Sequence, residues 1–210
     1  DDELINLAYD IENNFVGEGG GIMDQFVSVL GNHNQALYLN TLNKSYELIN
    51  IFEDYNFLII DSNTQRILSS SEFNQKKELC LSASKKMNLN NLCEKEIISK
   101  EDIEILSDEE LKVCKHVVEE NVRVKKAVQF LKDDNPNEFG KLMTESHLSL
   151  SKYYGVSTNE LNKLVSLSNS FGALGSKLTG AGFGGAVVTL VKNDKVEELK
   201  KMILENYNKA

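Results

Sequence analysis

Apolar residues recur at helical spacing from about residue 2 to residue 15, where Leu4, Leu7, Ala8, Ile11 and Phe15 predict an amphipathic helix. Three glycines, Gly19, Gly20 and Gly21, then interrupt the pattern. They bring no side chains to pack, and they let a ligand approach the main chain closely. Helical periodicity resumes with Met23, Phe26, Val27 and Leu30 on one face and Asp24, Gln25 and Ser28 on the other. Gly31 reads as the C-terminal cap of this second helix. Strand-like runs follow at residues 36–39, 46–52 and 57–61. The last opens with Phe57-Leu58-Ile59-Ile60, a continuous apolar run expected of a strand buried on both faces.

Beyond residue 69 the chain reads as mostly helical. One helix runs from the serines at 69–71 to about residue 87, and residues 88–108 read as loop with short helical pieces. Ser107 and Glu110 have the spacing of a capping box, opening a long helix that carries Leu111, Cys114, Val118, Val122, Val128 and Leu131. Asn135-Pro136 opens another, with proline at the tolerated first position. Ser157 and Glu160 form a second capping box before Leu161, Leu164, Val165 and Leu167. Residues 186–191 are β-branched enough for a strand, and residues 194–207 predict a closing helix. Helices and strands interleave without a regular βαβ repeat, so the predicted fold class is α+β, a mainly antiparallel sheet with packed helices.

The 210 residues suffice for one large domain or two small ones. A net charge of −9 argues against nucleic acid as a partner and equally against an anionic membrane surface. Arginine occurs only at Arg66 and Arg123, so bidentate phosphate clamps cannot be numerous. No apolar stretch approaches the ~20 residues of a membrane span, and the acidic start Asp1-Asp2-Glu3 does not read as a signal peptide. The cysteines, Cys80, Cys93 and Cys114, are odd in number and widely spaced. With no C-x-x-C pair, Cys114 and His116 make a poor zinc site, and reduced thiols in a cytoplasmic protein are expected.

Gly180, Gly182 and Gly185 satisfy the pattern G-x-G-x-x-G. A dinucleotide site, however, needs a helix after the glycines to hold the pyrophosphate, and here Val187-Val188-Thr189-Leu190-Val191 predicts a strand. A P-loop is absent as well, because Gly175-Ser176-Lys177 lacks the upstream glycine. Strand, glycine turn and strand remain: either a tight structural hairpin or a backbone wall for a ligand. Asp24 is open in the same way. A carboxylate in a first helical turn complements the helix dipole whether or not it does chemistry.

Taken together, the segments Gly21-Ile22-Met23-Asp24-Gln25 and 178–185 resemble the galactokinase family, within the superfamily that also holds mevalonate and homoserine kinases. Ser71-Glu72-Phe73-Asn74 and Glu145-Ser146-His147-Leu148-Ser149-Leu150 resemble galactokinase segments in the same order. The resemblance implies an ATP-dependent kinase that phosphorylates the anomeric hydroxyl of galactose. Asp24 would be the catalytic carboxylate facing that hydroxyl, with Gly21 lending its backbone to the sugar and Phe73 lining the sugar site. Gly180, Ala181, Gly182, Gly184 and Gly185 would form a loop near the nucleotide phosphates. His147 reads as a satisfied packing histidine.

The family's opening sugar-binding segment and its Gly-Leu-Ser-Ser-Ser phosphate loop are not in this chain. The resemblance therefore implies a C-terminal part of the enzyme, with the ligands of Mg²⁺ expected upstream of Asp1. Residues 1–50 would be the remainder of the N-terminal sugar-kinase domain, and residues 51–210 the C-terminal domain. Phe73 stands where galactokinases usually have tyrosine, and Asn40-Thr41-Leu42 where they tend to show Asp-Cys-Arg. These departures keep N-acetylgalactosamine open as the substrate, and a non-catalytic sugar-sensing regulator is the other class of the same family.

Overall fold

A computed structural model describes residues 1–17, 20–64 and 70–207, leaving out the side chains of residues 70–73. The chain forms two compact units: Asp1–Glu53 with Leu131–Asp134, and Asp54–Phe130 with Asn135–Ala210.

In the first unit, α1 (Asp2–Asp10) runs directly into a π-helical turn, Ile11–Val16. Gly17, left-handed at φ 86°, ends that turn. After the glycine segment come α2 (Met23–Leu30) and the antiparallel hairpin of β1 (Gln35–Leu39) and β2 (Tyr46–Asn50), with Leu37 opposite Leu48. Side-chain oxygens of Asn40 and Asn43 accept the amides of Leu42 and Ser45 at 3.0 Å each, which holds the connecting turn. The core is Ile5, Phe26, Ile49 and Phe52, and Phe26 meets Tyr46 edge-on at 6.3 Å. The stripe expected to be buried is not. Leu4, Leu7, Ile11 and Phe15 are exposed, and Ile5, one position off the stripe, carries the contact. In α2 the outward face holds Met23 and Val27, while Phe26 and the polar Gln25 are buried.

The second unit is built on the antiparallel sheet β3 (Tyr55–Asp61), β5 (Ala186–Lys192) and β4 (Gly175–Thr179), in the order β3-β5-β4. Ile60 lies opposite Val187, and Leu178 opposite Val187 on the other side. β3 is thus an outer strand among the described residues rather than one buried on both faces, and its Asn56, Ile59 and Asp61 are exposed. Against the sheet pack α7 (Asn159–Ser170) and α8 (Val196–Tyr207), closing a core of Leu161, Leu164, Leu178, Val187, Val191, Leu199 and Ile203. A second cluster, Ala83, Leu92, Cys114 and Val118, joins α3 (Ser70–Lys86) to α5 (Asp108–Lys132). The α+β class is as expected.

Local signals located most helix starts. Ser107 and Glu110 exchange reciprocal bonds of 3.3 and 2.7 Å, as the capping box predicts. Glu110 also accepts from Lys86 and Ser82, each at 2.7 Å, and the Lys86 bond leads in lowering its pKa to about 2. Between residues 88 and 108 the short helical pieces are a 3₁₀ turn, Leu92–Glu94, and α4 (Lys100–Ile105), each opened by its own capping box. Asn135 caps α6 (Pro136–Ser149) by accepting the Glu138 amide at 3.3 Å. The second predicted box does not form, and the cap lies one residue further on. Thr158 caps α7, and the Ser157 hydroxyl instead donates to Asn162 at 2.8 Å.

Candidate functional site

The first unit carries Gly20, Gly21 and Asp24. Gly21 is exposed, and a β-carbon built on it would meet nothing within 4 Å. Its backbone conformation carries no positive φ, so among the described residues neither strain nor packing calls for glycine there. Asp24 is exposed in the first turn of α2, a helix whose N-cap residue Ile22 offers no side-chain bond to the first amides. A carboxylate at that place complements the positive end of the helix. Beneath the segment, the Gln25 side-chain amide donates to the Glu12 carboxylate. The other Glu12 oxygen would lie 3.3 Å from a β-carbon on Gly20. Glu12 and Gln25 escape a reading of the sequence, because the helical pattern puts Gln25 on the solvent face.

In the second unit the β4–β5 hairpin carries Gly180, Ala181, Gly182, Gly184 and Gly185 at its turn. Gly180, Gly182, Gly184 and Gly185 have φ of 77°, 83°, 119° and 80°, and Phe183 joins them at 57°. Backbone bonds tie the turn down on two sides: Phe183 N–H to Val156 O at 2.7 Å, Gly185 N–H to Thr64 O at 3.2 Å, and Ser62 N–H to Gly185 O at 2.8 Å. A β-carbon on Gly182 would lie 2.3 Å from the Val156 carbonyl oxygen. Gly182 is therefore required by the fold itself.

Helix α6 sets the outer edge of the hairpin. Gly140 and Gly175 approach so closely that a β-carbon on Gly175 would fall 1.8 Å from the Gly140 carbonyl oxygen. One and two turns on, Thr144 Oγ1 accepts the Ser176 amide at 3.4 Å and His147 Nδ1 accepts the Leu178 amide at 3.3 Å. Edge amides of β4 are thereby capped by helix side chains. His147 Nε2 then donates to Asn162 Oδ1 at 3.0 Å, which makes the ring a neutral bridge; burial leads in depressing its pKa. Lys177, two residues before the turn, reaches Glu120 at 3.5 Å, and Glu120 also accepts from Arg123 and Ser146. Burial opposes ionisation of Glu120, yet Lys177, Ser146 and Arg123 together hold its pKa below the ordinary value.

His116 bonds Ser149 at 2.9 Å and stacks on Tyr154 with centroids 4.6 Å apart. Burial, with Arg123 and Lys177 near and Glu120 opposing, lowers its pKa to about 4 from 6.5. The unfolded chain therefore binds a proton that the folded chain refuses between those values. Stability is full above pH 6.5 and falls as pH drops toward 4, by up to about 3 kcal/mol at ~1.4 kcal/mol per pKa unit. Urea melts at steps through this window should show that fall, and His116→Gln should flatten it by about one proton's slope. Equal slopes for both proteins would refute the assignment.

Gly21 and Asp24 belong to the first unit, and the glycine turn to the second. Phe73 sits in α3, and its side chain lies outside the described residues. Among the described residues no three His, Cys, Asp or Glu side chains gather as a metal-binding group. Cys80, Cys93 and Cys114 are free thiols, and burial pushes Cys114 up to about 12. No helix among these residues is long and apolar enough to cross a membrane.

The helix-capped hairpin with its glycine turn falls in a segment, residues 127–209, that matches the family described as GHMP kinases C terminal. Over 99% of its length the chain is 39% identical to the galactokinase of Thermotoga maritima, spanning 59% of that protein, and to the galactokinase of Clostridium tetani, spanning 55%. Among solved structures, Lactococcus lactis galactokinase complexed with galactose superposes with a TM-score of 0.89 at 32% identity, over 98% of this chain and 55% of that one. The Methanococcus jannaschii mevalonate kinase matches at a TM-score of 0.56 and 27% identity, over 97% of this chain and 53% of that one. The chain thus spans little more than half the length of the relatives it matches.

Proposed function

We propose that this chain is the C-terminal part of a galactokinase, a cytoplasmic enzyme that transfers the γ-phosphoryl group of ATP to the anomeric hydroxyl of galactose. The observation that carries the proposal is Gly21, a glycine without a packing or conformational reason, three residues before a first-turn carboxylate. Open space over its backbone is what a polar ligand lying against the main chain requires. The galactose-bound relative supports the choice of sugar.

Asp24 orients the attacking hydroxyl and accepts its proton. A weak base is adequate, because the phosphoryl transition state is loose and asks little of the nucleophile. The glycine turn of the second unit offers backbone for the nucleotide phosphates. Mg²⁺ is commonly held by one or two carboxylates together with substrate phosphates. The described residues gather no such carboxylate group, so the ligands of Mg²⁺ would come from the region upstream of Asp1, as would most of the phosphate cradle. The bound ion would neutralise charge on the transferring group. The site calls for no nucleic acid and no membrane.

Gly21→Ala is the test. The fold tolerates the added methyl, so the melting temperature should stay within about 1–2 °C while kcat/KM for galactose falls at least ~10-fold, the cost of a poorly placed substrate. Unchanged kinetics in a coupled ADP-release assay on the complete polypeptide would remove Gly21 from the site. Running N-acetylgalactosamine beside galactose decides the substrate. Phe73 in place of a hydroxyl-bearing tyrosine is what favours the larger sugar as the second reading.

A further inference from the structure

We propose that Gln25 is a positioning residue of this site: through Glu12 it latches the π-helical turn to α2 and so fixes the Gly20–Gly21 backbone beside Asp24. The inference rests on the sugar-kinase reading above. Gln25 is only 7% exposed, although it belongs to the polar stripe of its helix. Its amide nitrogen donates to Glu12, and its buried carbonyl oxygen has no partner among the described residues. A buried acceptor without a donor costs stability, and a methionine of similar length would fill the space without that cost. That cost offsets much of what the bond to Glu12 contributes to stability.

What methionine cannot do is donate to Glu12. One Glu12 oxygen accepts from the Gln25 amide and the other sits where a β-carbon on Gly20 would come within 3.3 Å, so one hydrogen bond ties residue 12 to residue 25. Glu12 stands in a π-helical turn, a conformation found often at functional sites. Without the bond, the half-buried Glu12 carboxylate turns to solvent, and the glycine segment loses its support from below. The reacting hydroxyl and Asp24 then lose their mutual placement, although neither has been altered.

The experiment compares wild type, Gln25→Met, Gln25→Asn and Asp24→Asn in the complete polypeptide, measuring kcat, KM for both substrates and melting temperature. Gln25→Met is expected to keep or raise the melting temperature, to lose ~10–10²-fold in kcat, the cost of a displacement near 1 Å, and to leave KM for ATP unchanged. Gln25→Asn keeps the amide one carbon short and should lose kcat in the same way. Wild-type kcat in Gln25→Met, with Asp24→Asn inactive, would overturn the latch and leave the kinase reading standing. So would a lowered melting temperature in both Gln25 variants with turnover per folded molecule intact. Wild-type turnover in Asp24→Asn would sink the site reading, and the latch with it.

Discussion

Asp24→Asn should lower kcat for galactose by ~10²–10⁴-fold, the usual loss when a positioned base is removed, with melting almost unchanged. The carboxylate is exposed in the first turn of α2 and makes no bond that asparagine would forfeit to the core. Asparagine keeps its shape but can no longer take the proton. The competing role, a charge complementing the helix dipole, is worth only ~0.3–1 kcal/mol of stability. The two roles therefore separate cleanly. Initial rates in a coupled ADP-release assay, beside thermal melts of the same samples, decide between them. Intact turnover with a slightly lower melting temperature would assign Asp24 to the dipole alone.

Gly182→Ala should act in the opposite way, through the fold. Its φ of 83° is left-handed, which costs an L-residue roughly 1–2 kcal/mol. The new β-carbon would also lie 2.3 Å from the Val156 carbonyl oxygen, and forced overpacking adds about 1–3 kcal/mol. A loss of about 2–5 kcal/mol is expected in urea melts, against nearly none for Gly21→Ala. The neighbouring Phe183–Val156 bond would move with it, so the whole hairpin turn is at stake. A Gly182→Ala protein as stable as wild type would show that the turn can shift freely. Gly182 would then owe its identity to a ligand.

Much of the local structure was written in neighbouring residues. The Ser107–Glu110 box, the Asn135-Pro136 start and the β-branched run of β5 are short-range signals, and all three stand where the chain predicts them. The resemblance around Asp24 is carried by contiguous residues, Gly21 to Gln25, so no tertiary contact is needed to notice it. Burial was less legible. Amphipathic spacing locates a stripe but not its partner, so α1 buries Ile5 instead of the Leu4, Leu7 and Ile11 stripe, and α2 buries Gln25.

The sequence by itself determined most helix starts and the α+β class, since caps and periodicity depend on residues a few positions apart. Tertiary structure alone decided which strand lies at the edge, because β3 finds its neighbour β5 across more than a hundred residues. It alone separated the glycines too. Gly182 answers to Val156 and Gly175 to Gly140, whereas Gly21 answers to nothing among the described residues. A glycine carries no side chain whose pattern could announce its reason. That reason is supplied by whatever the folded chain brings against it, and over Gly21 there is open space.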